Sequence, residues 1–178
     1  MDLDTFLAET LAKSPQHQKF YHFTDRKNLP LVRQHGLLST SELRRRGLFG
    51  NVKTGGDAVS LQSDTAKGTD GYVCLCFTHS HPMAHVAMND ERKLDPVYLE
   101  IDPMVIKLSK VMITNAPSNQ SGIVRMAAAT ALDNLDLEVI YKRTDWTDAA
   151  VQARLQAAEK YEILIPGSLA NQYIVGGL

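Results

Sequence analysis

The sequence predicts an α+β fold with a mostly antiparallel sheet, built as one domain over residues 1–178. Three observations support this prediction. Short apolar runs rich in β-branched and aromatic residues recur along the chain and alternate with helical patterns and turn formers. No repeat, linker or low-complexity tract interrupts them. A chain of 178 residues, 44% of them hydrophobic, is also long enough to bury a core without disulfides or metals.

The first part of the chain predicts a helix, a strand and a second helix. Residues 3–11 place leucine and phenylalanine at helical spacing, and the run "FYHFTD" predicts a strand over 20–24. Asp25 is placed to cap the second helix and Gly36 to end it. Residues 47–71 hold six of the eleven glycines and predict a long loop, a kind of segment that is usually functional or mobile.

The rest of the chain predicts further strands and helices that alternate up to a strand near the end. The expected strands are 72–78, 97–102, 110–114, a possible strand at 137–142, and 161–166. The expected helices are a short one around 81–88, then 123–134 and 147–160. The segment "NAPSNQSG" is predicted to be a loop, and the tail is expected to add a short turn and strand.

The charge and composition exclude a broad basic surface. The net charge is -1, whereas proteins that bind duplex nucleic acid usually carry an extended basic face. The only dense basic cluster is 44–46, so we expect any nucleic-acid contact to be local. No apolar run approaches the roughly 20 residues of a membrane helix, and the acidic start does not resemble a signal peptide, which predicts a cytoplasmic protein. Cys74 and Cys76 are expected to be buried free thiols.

Two polar residues stand inside apolar strands and are candidates for a site. Alternation places His22 and Thr24 on one face of the first strand, which is either a satisfied core or the floor of a ligand site. Glu162 begins the apolar strand "YEILIP" and shares a face with Leu164. It is either an exposed strand-end carboxylate or a partner of His22 from a neighbouring strand.

Three histidines raise a metal site as an alternative. His79, His81 and His85 form an H-x-H-x3-H pattern, and the last pair has the i, i+4 spacing of helical zinc ligands. Against this, Pro82 interrupts the geometry between strand and helix, and no carboxylate stands at a matching local spacing. We therefore expect no resident metal, and a hydrolase built on this triad stays as an alternative.

The stretch "FYHFTDRKNLPLVRQHGLLS" resembles the opening of the DarT family of ADP-ribosyltransferase toxins, in which tyrosine-histidine, an apolar residue and threonine precede an "NL" helix with a "HGLL"-like end. "GYVCLCFTHSHPMAHVAM" is similar to the family's aromatic strand and proline-methionine helix start. "YEILIP" followed by "GSLANQYI" resembles the segment of its catalytic glutamate. The resemblance implies an ADP-ribosyltransferase-like domain with a split sheet and NAD as the ADP-ribose donor.

The resemblance also implies roles for particular residues. Glu162 matches the catalytic glutamate, a carboxylate that stabilises positive charge developing on the ribose. The expected cofactor-binding residues are His22, Phe23, Thr24, Asn28, Leu31 and Ser39. The family's pocket also contains an arginine, but no arginine occurs between Arg46 and Arg92 here. Arg46, from the basic cluster, is the residue expected in that catalytic role, with Lys53 or Lys67 as substitutes.

For the acceptor, the resemblance implies a base in single-stranded DNA, with RNA as the nearest alternative. The expected substrate contacts are Thr78, His79, Arg125 and Arg154. Such a toxin implies a macrodomain antitoxin that removes the modification, and we expect the enzyme to act as a monomer. Two further interpretations stay open, an RNA 2'-phosphotransferase of the same fold and a binding module that has lost turnover.

Overall fold

Seven of the nine strands form one sheet in which every neighbouring pair is antiparallel. The computed structural model describes residues 1–178, and the strand order is β6-β5-β7-β3-β1-β4-β9. The strands are β1 (Phe20–Asp25), β2 (Leu37–Leu38), β3 (Tyr72–Cys76), β4 (Pro96–Ile101), β5 (Met112–Thr114), β6 (Met126–Ala127), β7 (Glu162–Pro166), β8 (Ser168–Leu169) and β9 (Ile174–Gly176). The predicted α+β class is confirmed.

Eight α-helices surround the sheet. They are α1 (Leu3–Thr5, continued by a π-helical segment Phe6–Leu11), α2 (Leu29–His35), α3 (Thr40–Arg45), α4 (Ala58–Lys67), α5 (Pro82–Asn89), α6 (Ala128–Ala131), α7 (Leu137–Tyr141) and α8 (Ala149–Ala158). Short 3₁₀ turns lie at Arg26–Asn28, Phe49–Asn51, Pro103–Lys107, Leu132–Asn134 and Asn171–Tyr173. None of these helices has both the length and the apolar character that crossing a membrane requires.

The cap signals around α2 act as the sequence predicts. The Asp25 carboxylate accepts a hydrogen bond from the main-chain N–H of Lys27, which begins the helical turn. Gly36 ends α2 with φ +73°, a conformation that side chains other than glycine rarely adopt. The chain then turns directly into β2, which pairs with β8 through Leu37 and Leu169. Both strands of this small sheet contact β3 of the main sheet.

One face of the main sheet is buried by helices and carries the aromatic core. The Phe6 ring stacks on Phe20 of β1 at 6.5 Å and meets Tyr141 of α7 edge-on at 5.5 Å. Phe20 also contacts Phe77 edge-on at 5.5 Å. Such offset and edge-on pairs stabilise a core beyond the area that they bury. The first helical segment and α7 therefore close over the same face of β1.

Three predicted elements were wrong. The loop expected over 47–71 contains α4, a regular helix without a fully buried residue, so it lacks the apolar face from which helices are recognised. The strand expected over 137–142 is α7, which Asp136 caps by accepting from the N–H of Val139. This helix is buried nearly all round, so its apolar run lacks the helical period that would distinguish it from a strand. The helix expected over 123–134 is cut short, because its beginning pairs as β6 with β5.

The sheet opens between β1 and β3, as the resemblance implies. These two strands share one registered pair, Tyr21 with Cys76, whereas β1 is paired along its whole length with β4. One step further, His22 Nδ1 lies 2.8 Å from the main-chain oxygen of Cys74. Because a carbonyl oxygen only accepts, Nδ1 carries the proton and donates. The imidazole thus takes the place of a missing strand-to-strand hydrogen bond.

Candidate active site

A cavity of about 350 Å³ lies at the opening between β1 and β3. Its walls come from β1, α2, the β2 to α3 connection, residues 52–56, α4, β3, residues 81–83 and residues 117–119. Seven of the predicted site residues line it: His22, Phe23, Thr24, Asn28, Leu31, Ser39 and Glu162. The structure therefore gathers residues that are far apart in sequence around one space large enough for a ligand.

Glu162 stands at the start of β7 and faces this cavity. Its Oε2 accepts a hydrogen bond of 2.8 Å from the main-chain N–H of Ser118. Burial raises the pKa of the Glu162 carboxyl, and the nearby Asp64 raises it further, while the Ser118 hydrogen bonds lower it. The two raising effects prevail, so the carboxyl takes up a proton at higher pH than an exposed glutamate does.

His22 and Glu162 do not share a face of the sheet. Cross-strand pairs place Tyr21, Cys76, Glu162 and Thr114 in one row across β1, β3, β7 and β5. His22 follows Tyr21 and therefore points to the opposite face. The expected partnership between neighbouring strands is corrected accordingly: β3 lies between β1 and β7, and the two side chains meet the same cavity only because the sheet is open there.

Burial lowers the pKa of His22, and the hydrogen bond to Cys74 opposes this only in part. The imidazole is therefore neutral at physiological pH, with Nδ1 committed to the main chain. Its Nε2 is then an acceptor, available to a hydroxyl or amide of a bound molecule. The sequence left His22 as either a satisfied core residue or part of a ligand site. In the structure its ring hydrogen-bonds the main chain of β3 at the open edge of the sheet and also lines the cavity.

Asn28 is occupied by the protein itself. Its Nδ2 donates to Thr24 Oγ1 at 3.0 Å and to the main-chain oxygen of Lys53 at 2.8 Å. Its Oδ1 accepts from the N–H of Lys53 at 2.9 Å. Both amide protons and the oxygen of this side chain have partners. Because it bonds the N–H and the C=O of Lys53, as a paired strand does, it holds the segment around Lys53 in place. Ser39 is similarly engaged, because its hydroxyl caps α3 by accepting from Glu42 N–H.

Asn28→Ala is expected to lower the free energy of unfolding by about 2 kcal/mol, because two buried main-chain groups lose their partner. The released segment should also show faster hydrogen exchange at the Lys53 amide. Unfolding in urea and exchange measured by NMR check the two effects. Asn134→Ala is the matched control, since the Asn134 amide bonds only an exposed helical carbonyl. Equal behaviour of both variants would contradict the pinning role.

The three histidines do not form a metal centre. His81 stacks on Phe23 at 5.4 Å, and its Nδ1 accepts from the N–H of Met83 as the cap of α5. His79 instead packs against Tyr98 at 4.4 Å. Across the chain, no group of three histidine, cysteine or acidic side chains converges as metal ligands do. Burial lowers the pKa of His81 to about 4, so this ring is a neutral part of the cavity wall.

The comparison with known families decides the assignment. Residues 21–176 match the model of the family described as "ssDNA thymidine ADP-ribosyltransferase, DarT". This chain belongs to the DarT family. None of the curated proteins matches the sequence.

Solved DarT structures have the same fold at low sequence identity. Thermosipho africanus DarTG in complex with ADP-ribose superposes with a TM-score of 0.64 at 18% identity, over 88% of this chain and 42% of that one. Thermus sp. 2.9 DarT in complex with ADP-ribosylated ssDNA gives 0.62 at 15%, over 87% and 78%, respectively. The same Thermus protein in complex with NAD+ gives 0.57 at 16%, over 90% and 81%. This chain thus spans less than half of the DarTG chain and most of the Thermus DarT.

The arginine expected of a DarT pocket is not supplied by the basic cluster. Arg46 lies outside the cavity, because its guanidinium bonds Glu42 on the same helical turn. Of the proposed substitutes, Lys67 donates to the main chain of Asn119, and only Lys53 lines the cavity. The Lys53 ammonium lies 3.1 Å from the buried carboxylate of Asp25. Arg92 contacts the cavity wall, because its guanidinium donates to the carbonyl of Gly55.

The residues expected to bind the DarT substrate are spread over the molecule. Thr78 donates to the main-chain oxygen of Ser80 and is buried, while the exposed His79 lies with the aromatic side chains beyond the cavity. Arg154 is held on α8 by Asp136 and Glu138. These three do not reach the cavity.

Of the four predicted substrate contacts, Arg125 lies beside the cavity, since its guanidinium is 5.6 Å from the centre of the ring of Tyr72, which is part of the cavity wall.

Several cavity residues were missed from the sequence. Ser60, Leu61 and Asp64 come from α4, which lies in the segment predicted as a loop. Ser118 comes from a loop without periodicity, and Lys160 from the turn that follows α8. The cap signals offered a way to find α4. Asp57 accepts from Ser60 N–H at its start, and a glycine with φ +64° follows its end.

Proposed function

We propose that this chain is an ADP-ribosyltransferase that transfers ADP-ribose from NAD to a thymine base in single-stranded DNA. The observation that carries the proposal is Glu162, a half-buried carboxylate at the start of a central strand that faces the cavity, in a chain of the DarT family. We further propose that residues 1–178 act as one domain around this cavity, because a single core cluster joins residues from Phe6 to Leu169.

The side chains of the cavity fit a dinucleotide donor. Leu31, Leu43 and Val52 give apolar walls suited to flat rings, and the His22 imidazole offers an acceptor to a hydroxyl or amide. Lys160 lines the same space, is exposed and makes no ion pair in the structure. Its ammonium is suited to the phosphates of NAD.

Glu162 supplies the electrostatic part of the reaction. When the bond between ribose and nicotinamide breaks, nicotinamide leaves with the electron pair and positive charge develops on the sugar. A carboxylate beside the ribose hydroxyls stabilises that charge, and it does so more strongly in a site shielded from water. A ring nitrogen of the thymine then forms the new bond to the ribose and gives up its proton to solvent.

The test is mass spectrometry of short DNA and RNA oligomers after incubation of the full chain with NAD. The expected result is a mass increase of one ADP-ribose on thymine-containing single-stranded DNA, which is absent with Glu162→Ala. Modification of RNA alone would overturn the choice of acceptor in favour of an RNA-directed enzyme. No increase on any oligomer would overturn the transferase and leave a binding module.

We also propose that the activity is that of a toxin, paired with a macrodomain antitoxin. The DarTG structure of Thermosipho africanus contains ADP-ribose and a chain much longer than this one. A macrodomain that removes ADP-ribose from the modified oligomer would restore the original mass. Failure of the tested macrodomain to act on the product of this enzyme would argue against that partner.

A further inference from the structure

Glu162 is held by one short loop. The main-chain N–H of Ser118 donates to Oε2 at 2.8 Å, and Ser118 is only 4% exposed. The Ser118 side chain also lowers the pKa of the Glu162 carboxyl and that of the Cys74 thiol, against the effect of burial. No lysine or arginine pairs with Glu162, so the loop provides the protein's hydrogen bonds to its buried charge.

The neighbouring strand does not share in holding the carboxylate. Thr114 of β5 is directly opposite Glu162 in the register and lies on the same face. Its Oγ1 is fully buried but has no hydrogen-bond partner. The carboxylate is therefore hydrogen-bonded by the 115–122 loop and not by the side chain of Thr114.

The loop that carries this donor is a tight turn fastened to α4. Gln120 N–H donates to the Pro117 carbonyl at 2.9 Å, so Ser118 occupies the second position of a β-turn. The carbonyl of Asn119 accepts from Ser63 Oγ at 3.4 Å and from the Lys67 ammonium. Both donors lie on α4, whose other side chains line the cavity.

We propose that the Ser118 main-chain N–H is a positioning group that aims the Glu162 carboxylate for catalysis. By occupying Oε2, it orients the carboxylate and leaves the second oxygen free for the ribose. An oxygen misplaced by about 1 Å in such a site costs about 100-fold in rate. Because α4 fastens the turn, the cavity wall and the catalytic carboxylate are set by the same helix. The inference rests on the proposed function.

Two substitutions together isolate the main-chain donor. Proline is favoured at the second position of a β-turn and has no N–H, so Ser118→Pro keeps the turn and loses the N–H together with the hydroxyl. Ser118→Ala removes only the hydroxyl. We expect Ser118→Pro to lower kcat by about 10- to 100-fold with KM for NAD within about twofold. Ser118→Ala should stay within about threefold of the wild type in kcat.

Two further variants separate positioning from general damage. Thr114→Val changes a residue directly opposite Glu162 in the sheet and should leave kcat unchanged, because the hydroxyl that it removes is unpaired. Lys67→Met loosens the turn from α4 and is expected to lower kcat by less than Ser118→Pro does. Wild-type kcat in Ser118→Pro, or equal losses in Ser118→Pro and Ser118→Ala, would overturn the proposal.

A measurement without turnover makes the outcome independent of the proposed function. The amide signal of Ser118 in a ¹H–¹⁵N spectrum should shift with the titration of Glu162, and this shift should vanish in Glu162→Gln. In Ser118→Pro, the pKa of the Glu162 carboxyl, followed by ¹³C NMR, should rise further than in Ser118→Ala. If the chemical shift of the Ser118 amide does not change as Glu162 titrates, the contact is overturned. If the shift does change but the protein has no transferase activity, the proposed function is refuted and the contact is retained.

Discussion

Glu162→Gln is expected to reduce kcat for ADP-ribose transfer by about 100- to 1,000-fold while the cavity keeps its shape. The amide has nearly the size of the carboxylate and its oxygen still accepts from Ser118, but it lacks the negative charge that stabilises the developing positive charge on the ribose. Single-turnover measurements with NAD and a thymine-containing oligomer check this loss. A rate within tenfold of the wild type would remove Glu162 from the catalytic role.

The same substitution is expected to stabilise the fold above acidic pH. The pKa of Glu162 is raised in the folded protein, so the wild type loses stability as the pH rises from the unfolded towards the folded pKa. Glutamine has no charge to bury. The melting temperature of Glu162→Gln should therefore equal that of the wild type at low pH and exceed it at neutral pH. Wild-type activity should fall as the pH drops through the raised pKa.

Glu159→Gln is the matched control for the loss of activity. Glu159 stands three residues before Glu162, and partial burial raises its pKa as well, but it does not line the cavity. Its replacement should leave kcat within about twofold of the wild type, because the charge is removed away from the site of bond breaking. If Glu159→Gln lost as much activity as Glu162→Gln, the loss would come from the change in net charge and not from the place of the Glu162 carboxylate.

Gly36→Ala is expected to lower the free energy of unfolding by about 3 kcal/mol and the melting temperature by roughly 10 °C. Gly36 has φ +73° and ψ -169°, a region that is almost restricted to glycine. A Cβ there would also lie 2.3 Å from the main-chain oxygen of Leu169. Since β2 pairs with β8 at this place, the backbone cannot yield without separating the small sheet.

Gly47→Ala separates the two causes. Gly47 has φ +69°, yet a Cβ would meet nothing within 4 Å. Only the conformational cost remains, and we expect a loss of about 1 kcal/mol. Thermal unfolding of both variants provides the comparison. Equal losses would show that the contact with Leu169 carries no cost, and the close approach of β2 and β8 would then be of no consequence for stability.

Local signals predicted the elements with strong caps or clear alternation. Asp25 and Gly36 mark the start of the 3₁₀ turn before α2 and the end of α2, as observed. Alternation identified β1 and β7 together with their polar residues, His22 and Glu162. The local signals were misleading in three places. In α7 an apolar run that is buried nearly all round has no period, and α4 has no buried face. The start of the helix expected over 123–134 pairs instead as β6 with β5.

The cavity depended on contacts that no local pattern contains. Strand order places β3 between β1 and β7, so His22 and Glu162 lie on opposite faces and meet only across an opening of the sheet. The guanidinium of Arg46 pairs with Glu42 four residues before it. The sequence spacing permits this ion pair as readily as a place in the cavity, so it could not decide between the two.

The sequence by itself determined the α+β class, most strands and the two polar residues that stand out within them, because period and caps act over a few neighbouring residues. It also carried the motifs that resemble the DarT family. Only the tertiary structure decided which strands are adjacent, where the sheet opens, and which group holds the Glu162 carboxylate. The group that hydrogen-bonds the Glu162 carboxylate is the main-chain N–H of Ser118, and every residue except proline has such a donor. Its role comes from its place in the fold, since its residue type carries no signal of it.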